Sequence, residues 1–256
     1  MNTPSKRIGI VTGAGMGTGG LGRGIAAQLA ADNVSLMIAD ADPRVAEVAA
    51  HIADKYPGIE VESYCGDLSS ESNVKEMVDR TVDRFGRIDI LVNNAGGGII
   101  KPFLEHDSGS LTTTLARNLW TAIWGCHKVL PHMVAQNHGR IVNIGADSLR
   151  TGIPAHAGYN AAKGGVVGMM VALAKEFARY DITVNTVSPC VINTERHRAN
   201  LKNAHKARSA AFIDVVPKGR SVEIGEVADM VCFLARPQTG FITGQEISVN
   251  GGSAMP

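Results

Sequence analysis

A doubly wound α/β fold, with a parallel sheet of about seven strands and helices on both faces, is the fold class these 256 residues predict. Three observations carry it. Short β-branched runs alternate with longer helical patterns, and strict alternation builds a parallel sheet. The strand candidates are nearly continuous apolar runs, as strands buried on both faces must be. A glycine-rich stretch joins the first strand candidate to the first helix candidate, where such sheets bind ligands.

The strand candidates are RIGIVT (7–12), VSLMIA (34–39), IEVESYC (59–65), IDILVN (88–93), RIVNIG (140–145), ITVNTVS (182–188) and EISVN (246–250). Between the first two, Leu21, Ile25 and Leu29 recur at helical spacing over 21–32. Asp42 before Pro43 predicts a helix N-cap followed by proline at the first helical position. Helical patterns follow over 71–85, 109–136, 158–179 and 223–235, with a basic, weakly anchored one over 194–212. No repeat or linker-like segment interrupts 1–256, so a single domain is expected.

Hydrophobic content of 45% and charged content of 19% are globular values. A formal net charge of +1 gives no field to attract nucleic acid. The longest apolar stretch, VVGMMVALA (166–174), is too short to span a bilayer, and the N-terminal residues carry no apolar signal core. Cys65, Cys126, Cys190 and Cys232 lie far apart without a CxxC pair. They read as buried thiols of a reducing cytoplasm rather than a disulfide or metal framework.

TGAGMGTGGLGRG (12–24) follows the first strand and opens the first helix. There, backbone N–H groups approach a pyrophosphate and the helix N-terminus adds positive potential. Literal GxGxxG matches occur at Gly15/Gly17/Gly20 and Gly17/Gly19/Gly22, and neither alone is specific. Position decides more. Asp40 ends the second strand, 18 residues after Gly22, where an acid binds the adenine ribose hydroxyls. Gly13 is therefore read as the tight turn and Gly20 and Gly22 as the close-packed pair, with Leu21 between them. A carboxylate at 40 repels a 2′-phosphate and favours NAD over NADP, although Arg44 offers a phosphate a partner.

With those residues the sequence resembles the short-chain dehydrogenase/reductase family. Asp67 in CGDLSS, Asn93-Asn94-Ala95-Gly96, Asn118, Tyr159-x-x-x-Lys163, Ser188-Pro189 and TGQEISVNGG (243–252) occur in that family's order across nearly the whole chain. The resemblance implies a Rossmann fold and a set of roles. Asp67 and Leu68 bracket the adenine. Asn93 stabilises the central sheet, and Asn94, Ala95 and Gly96 pass close to the cofactor ribose. Asn118 holds a water behind Lys163. Pro189, Val191 and Thr194 contact the nicotinamide end, and residues of about 190–215 cover the substrate. Three departures stand out. Six residues rather than three separate Gly13 from Gly20, Cys190 replaces a glycine, and Asn250 stands where aspartate is common.

Tyr159 and Lys163 share one helix face. A free tyrosine titrates near about 10, too high for an efficient base. A neighbouring ammonium and the positive nicotinamide both favour the phenolate, which then accepts the alcohol proton as hydride leaves. The family's substrate-orienting serine would fall at position 146, which is alanine. If strand geometry continues, Ser148 points the same way as Ala146 and Asp147 points to the opposite face. Ser148 and His156 are the candidate replacements, and loss of catalysis is the third possibility.

Function is therefore expected to be hydride transfer between a secondary alcohol or ketone and NAD(H). The alternatives are an NADPH-dependent reductase of a 3-oxoacyl thioester and a catalytically weakened nucleotide-binding protein. The segment 194–212 carries Arg196, Arg198, Lys202, Lys206 and Arg208, with His197 and His205. With Arg150 at the pocket mouth they point to an anionic substrate, or else to a solvated helix face. Apolar excess around Trp120, Trp124 and Leu130, and over 161–178, points to a homodimer or homotetramer.

Overall fold

The computed structural model describes residues 6–16, 20–203 and 206–255, with backbone only for 206–209. Gly17, Gly19 and His205, and the side chains of Lys206 and Arg208, lie outside that description.

Seven parallel strands form one sheet in the order β3-β2-β1-β4-β5-β6-β7. They are β1 (Arg7–Thr12), β2 (Val34–Asp40), β3 (Val61–Cys65), β4 (Ile90–Asn93), β5 (Gly139–Ile144), β6 (Ile182–Pro189) and β7 (Glu246–Val249). The order reverses between β1 and β4, which pair through Gly9–Ile90 and Val11–Val92. A crevice at the carboxyl ends of these strands follows from that reversal.

Alternation along each strand sends neighbours to opposite faces. Val11, Leu36 and Ile38 pack under α1 (Leu21–Ala31), α2 (Val45–Lys55) and α10 (Ile224–Leu234). Ile10, Met37 and Leu91 pack under α3 (Glu71–Phe85), α5 (Thr121–Ala135) and α7 (Ala157–Glu176). These two cores fix the strand ends that present the site. Between α5 and α7, α6 (Ser148–Thr151) is a single short turn.

Three expectations need correction. Asp42 does not cap α2, which starts at Val45 with Arg44 at the N-cap position. Instead Asp42 Oδ1 accepts the Arg44 N–H at 3.0 Å and its carbonyl accepts that of Val45 at 3.0 Å, so Pro43 and Arg44 form a lead-in turn. The helix expected over 109–136 is α4 (Ser108–Leu115), a π-helical turn (Ala116–Trp120) and α5. The basic stretch 194–212 is α8 (Glu195–Asn200) and α9 (Lys206–Asp214).

Candidate active site

The end of β1 is a cradle shaped by glycine. Gly13 has φ +68°, and a Cβ there would lie 2.8 Å from the Ala95 Cα. A Cβ on Gly22, at the start of α1, would lie 2.2 Å from the Gly13 carbonyl oxygen. Backbone therefore packs on backbone, and only hydrogen fits. Gly20 is the N-cap of α1, and Leu21 is buried beneath it. Asn94 ties the cradle to β4, its Nδ2 donating to the carbonyls of Thr12 (3.0 Å) and Gly13 (2.9 Å). Thr12 Oγ1 accepts the N–H groups of Asn94 and Ala95, both at 3.0 Å. Thr12 opens the glycine motif, and only the fold shows that its hydroxyl ties β1 to the loop after β4.

Asp40 is buried beside this cradle, accepting the Gly15 N–H at 2.8 Å and the Asp42 N–H at 2.9 Å. The Arg44 guanidinium is held by Asp42, with Nε 3.0 Å from Oδ1. Leu68 is buried, while the exposed Asp67 accepts the Ser69 N–H and hydroxyl. Asn93 Nδ2 donates to Asn143 Oδ1 at 2.9 Å, joining β4 to β5 inside the sheet. A cradle that admits no side chain, an adjacent carboxylate and an apolar shelf fit a dinucleotide.

At the end of β5, Lys163 Nζ donates to the Ile144 carbonyl at 2.7 Å and lies 5.8 Å from the Tyr159 ring centroid. Asn118 sits in the π-helical turn. Its Nδ2 donates to the carbonyls of Thr114 (2.8 Å) and Gly97 (3.2 Å), and its Oδ1 accepts the Gly97 N–H at 3.0 Å. These bonds hold the loop after β4 against the bend. A Cβ on Gly96 would lie 2.6 Å from Asn118 Oδ1 and 3.6 Å from Lys163 Nζ, so this loop passes between the two side chains.

Beside Tyr159 opens a cavity of about 290 Å³. Ala146, Ile153, Pro189, Val191 and Phe212 supply much of its apolar wall, and Ser148, His156 and His197 add polar groups. Strand geometry does not continue to Ser148: β5 ends at Ile144 and the chain turns into α6. A Cβ on Gly145 would lie 2.2 Å from Ser188 Oγ, so only glycine fits where the chain passes β6. Ser148 still faces the cavity, but Asp147 does too rather than pointing away. Asp147 accepts from Asn250 Nδ2 at 2.9 Å and from the Ser253 hydroxyl. This gives Asn250 a reason, since an aspartate there would set carboxylate against buried carboxylate. Thr194 Oγ1 caps α8 by accepting the His197 N–H at 3.0 Å. Arg150 is not a free charge: it pairs with Glu246 at 2.9 Å.

A family model described as enoyl-(acyl carrier protein) reductase matches residues 15–254. A 2,3-dihydroxy-2,3-dihydro-p-cumate dehydrogenase of Pseudomonas putida is 47% identical over 97% of this chain and 95% of its own. Levodione reductase of Leifsonia aquatica is 34% identical over 98% and 95%. The crystal structure of a levodione reductase superposes with TM-score 0.90 at 31% identity, covering 98% of this chain and 99% of that one. The chain belongs to the short-chain dehydrogenase/reductase family.

As a short-chain dehydrogenase/reductase it transfers hydride between a CH–OH carbon and a nicotinamide cofactor. The bound nicotinamide supplies the hydride acceptor or donor; the chain supplies the rest. In the cofactor-free chain, burial pushes Tyr159 up to about 12 and Lys163 down to about 8. Desolvation penalises both charged forms, and the ammonium faces the Ile144 carbonyl. The neutral phenol is favoured until a further positive charge arrives beside it.

Proposed function

We propose that the chain is an NAD-dependent dehydrogenase that oxidises a vicinal diol on a six-membered ring, with Tyr159 as general base. The 47% identity to a dehydrogenase of a ring dihydrodiol, over nearly all of both chains, carries this reading. A cavity of about 290 Å³ with mainly apolar walls suits one ring. Asp40 binds the adenine ribose hydroxyls, Gly13, Gly20, Leu21 and Gly22 enclose the pyrophosphate, and Asp67 and Leu68 flank the adenine. Asn94, Ala95, Gly96 and Lys163 meet the nicotinamide ribose, with Pro189, Val191 and Thr194 beyond it. Asn118 holds the proton path behind Lys163. The segment 190–215 closes over substrate as a lid, and the place of work is the cytoplasm.

The test is formation of reduced NAD with a ring cis-dihydrodiol, carboxylated and not, at rising salt. Turnover of the diol supports the reading, and turnover of 3-oxoacyl thioesters alone would refute it. Faster loss of the carboxylated substrate with salt is expected if Arg196 and Lys202 attract it.

The reductive alternative has support in a structural neighbour, the NADPH-dependent reductase YwfH, at TM-score 0.90 and 26% identity. Against it stand two carboxylates at the end of β2, one of which holds the Arg44 fork. Asp40→Asn keeps an acceptor for the Gly15 N–H and removes the charge. It is expected to shift the NADP-to-NAD ratio of kcat/KM upward by on the order of tenfold. An unchanged ratio would count against NAD selection by this carboxylate. Trp120 and Val171 are exposed on neighbouring helical surfaces, and we place a homodimer or homotetramer contact there. A monomer mass in equilibrium sedimentation would refute it.

A further inference from the structure

This family's serine would donate a hydrogen bond to the substrate oxygen, and Ala146 has none to give. The cavity's side chains can be searched for a proton that is not already committed. The Asn160 amide donates to the Ser148 carbonyl at 2.8 Å, which turns its oxygen toward the Ser148 hydroxyl at 2.7 Å. Ser148 must therefore donate to Asn160, and no hydrogen remains for substrate. His156 Nδ1 lies 2.9 Å from the Pro154 carbonyl, which only accepts. The proton of this bond sits on Nδ1, which leaves Nε2 as the acceptor nitrogen of the ring. Ser253 donates to Asp147, the Thr151 hydroxyl leans on the Asp147 carbonyl at 3.4 Å, and Asp147 is an acceptor.

His197 differs. It enters from α8, lines the cavity and is 8% exposed. Its Nε2 is buried without a hydrogen-bond partner among the described residues. An orphaned buried nitrogen is destabilising unless a ligand satisfies it. The Thr194 cap fixes the backbone that carries it. We infer that His197, through Nε2–H, is the donor to the substrate oxygen that Tyr159 deprotonates, taking the place of the serine missing at Ala146. Burial holds this imidazole below its ordinary value, so it is neutral at pH 7 and donates without adding a charge. Tyr159 and His197 line the same cavity.

The inference rests on the family's reaction at Tyr159 and not on the ring diol. The assay therefore uses whichever secondary alcohol the wild type oxidises fastest, so a wrong substrate class leaves it intact. His197→Leu is expected to lower kcat about 10²-fold, with cofactor affinity within about twofold. Ala146→Ser in that background is expected to restore at least about tenfold, yet to change the wild type less than about threefold. A merely structural histidine would not be rescued by a hydroxyl on another wall. His197→Gln, which keeps an N–H donor, should retain most turnover and serves if the leucine variant fails to fold. In the cofactor-free chain, the His197 ¹⁵Nε2 resonance should shift on adding the alcohol. Unchanged kcat in His197→Leu, an equal serine effect in both backgrounds, loss of turnover in His197→Gln with its fold intact, or an unmoved resonance would each overturn the assignment.

Discussion

Tyr159→Phe is expected to lower kcat for alcohol oxidation by on the order of 10³-fold while leaving cofactor affinity within about threefold. The phenyl ring keeps the packing of the cavity wall and loses only the oxygen that exchanges the proton. The pH behaviour follows from burial. Tyr159 is pushed up to about 12, so the phenol keeps its proton across the ordinary range. Reduction consumes that proton and should stay flat with rising pH. Oxidation needs the phenolate and should rise with pH. Its midpoint should fall well below 12 because the oxidised cofactor adds positive charge beside the ring to that of Lys163. An oxidation rate that is independent of pH in both proteins would show that another group takes the proton.

Lys163→Met should damage function and improve stability together. Activity is expected to fall about 10³-fold, since the ammonium that steadies the phenolate is gone. Yet the ammonium is costly to fold. Lys163 is 4% exposed and is pushed from 10.5 down to about 8. Below pH 8 it is charged in both states and the folded chain bears the desolvation. Between about 8 and 10.5 the unfolded chain holds a proton that the folded chain has released, so stability rises with pH through that window. That gap corresponds to roughly 3 kcal/mol, and about 1 is returned when the Ile144 carbonyl loses its donor. The cofactor-free variant should therefore gain about 2 kcal/mol at pH 7 and lose the rise between pH 8 and 10.5. Denaturant unfolding at several pH values measures both. A destabilised variant at pH 7 would contradict the account.

Much of this was legible because the signals are local. Apolar β-branched runs mark each strand to within a few residues, and the glycine cluster with Asp40 marks the cradle. What escaped depends on tertiary context. The π-helical turn at Ala116–Trp120 is held by Asn118 reaching the loop after β4, and no helical periodicity records that reach. Strand alternation does not extend to Ser148, because β5 ends at Ile144 and the chain turns into α6. Thr194 followed by Glu195 is a readable helix cap, which the structure shows at the start of α8. His197 looked like one more charge in a basic segment. In the fold it lines the cavity, with Nε2 buried and without a hydrogen-bond partner among the described residues.

The most direct test is an ultraviolet difference titration of wild type against Tyr159→Phe, with and without oxidised NAD. Without cofactor, no phenolate signal attributable to this side chain should appear below pH 10. With saturating oxidised NAD it should appear at least two pH units below about 12, and reduced NAD should not produce it. A phenolate already present near neutrality in the cofactor-free chain, or one that oxidised NAD fails to bring down, would contradict the mechanism.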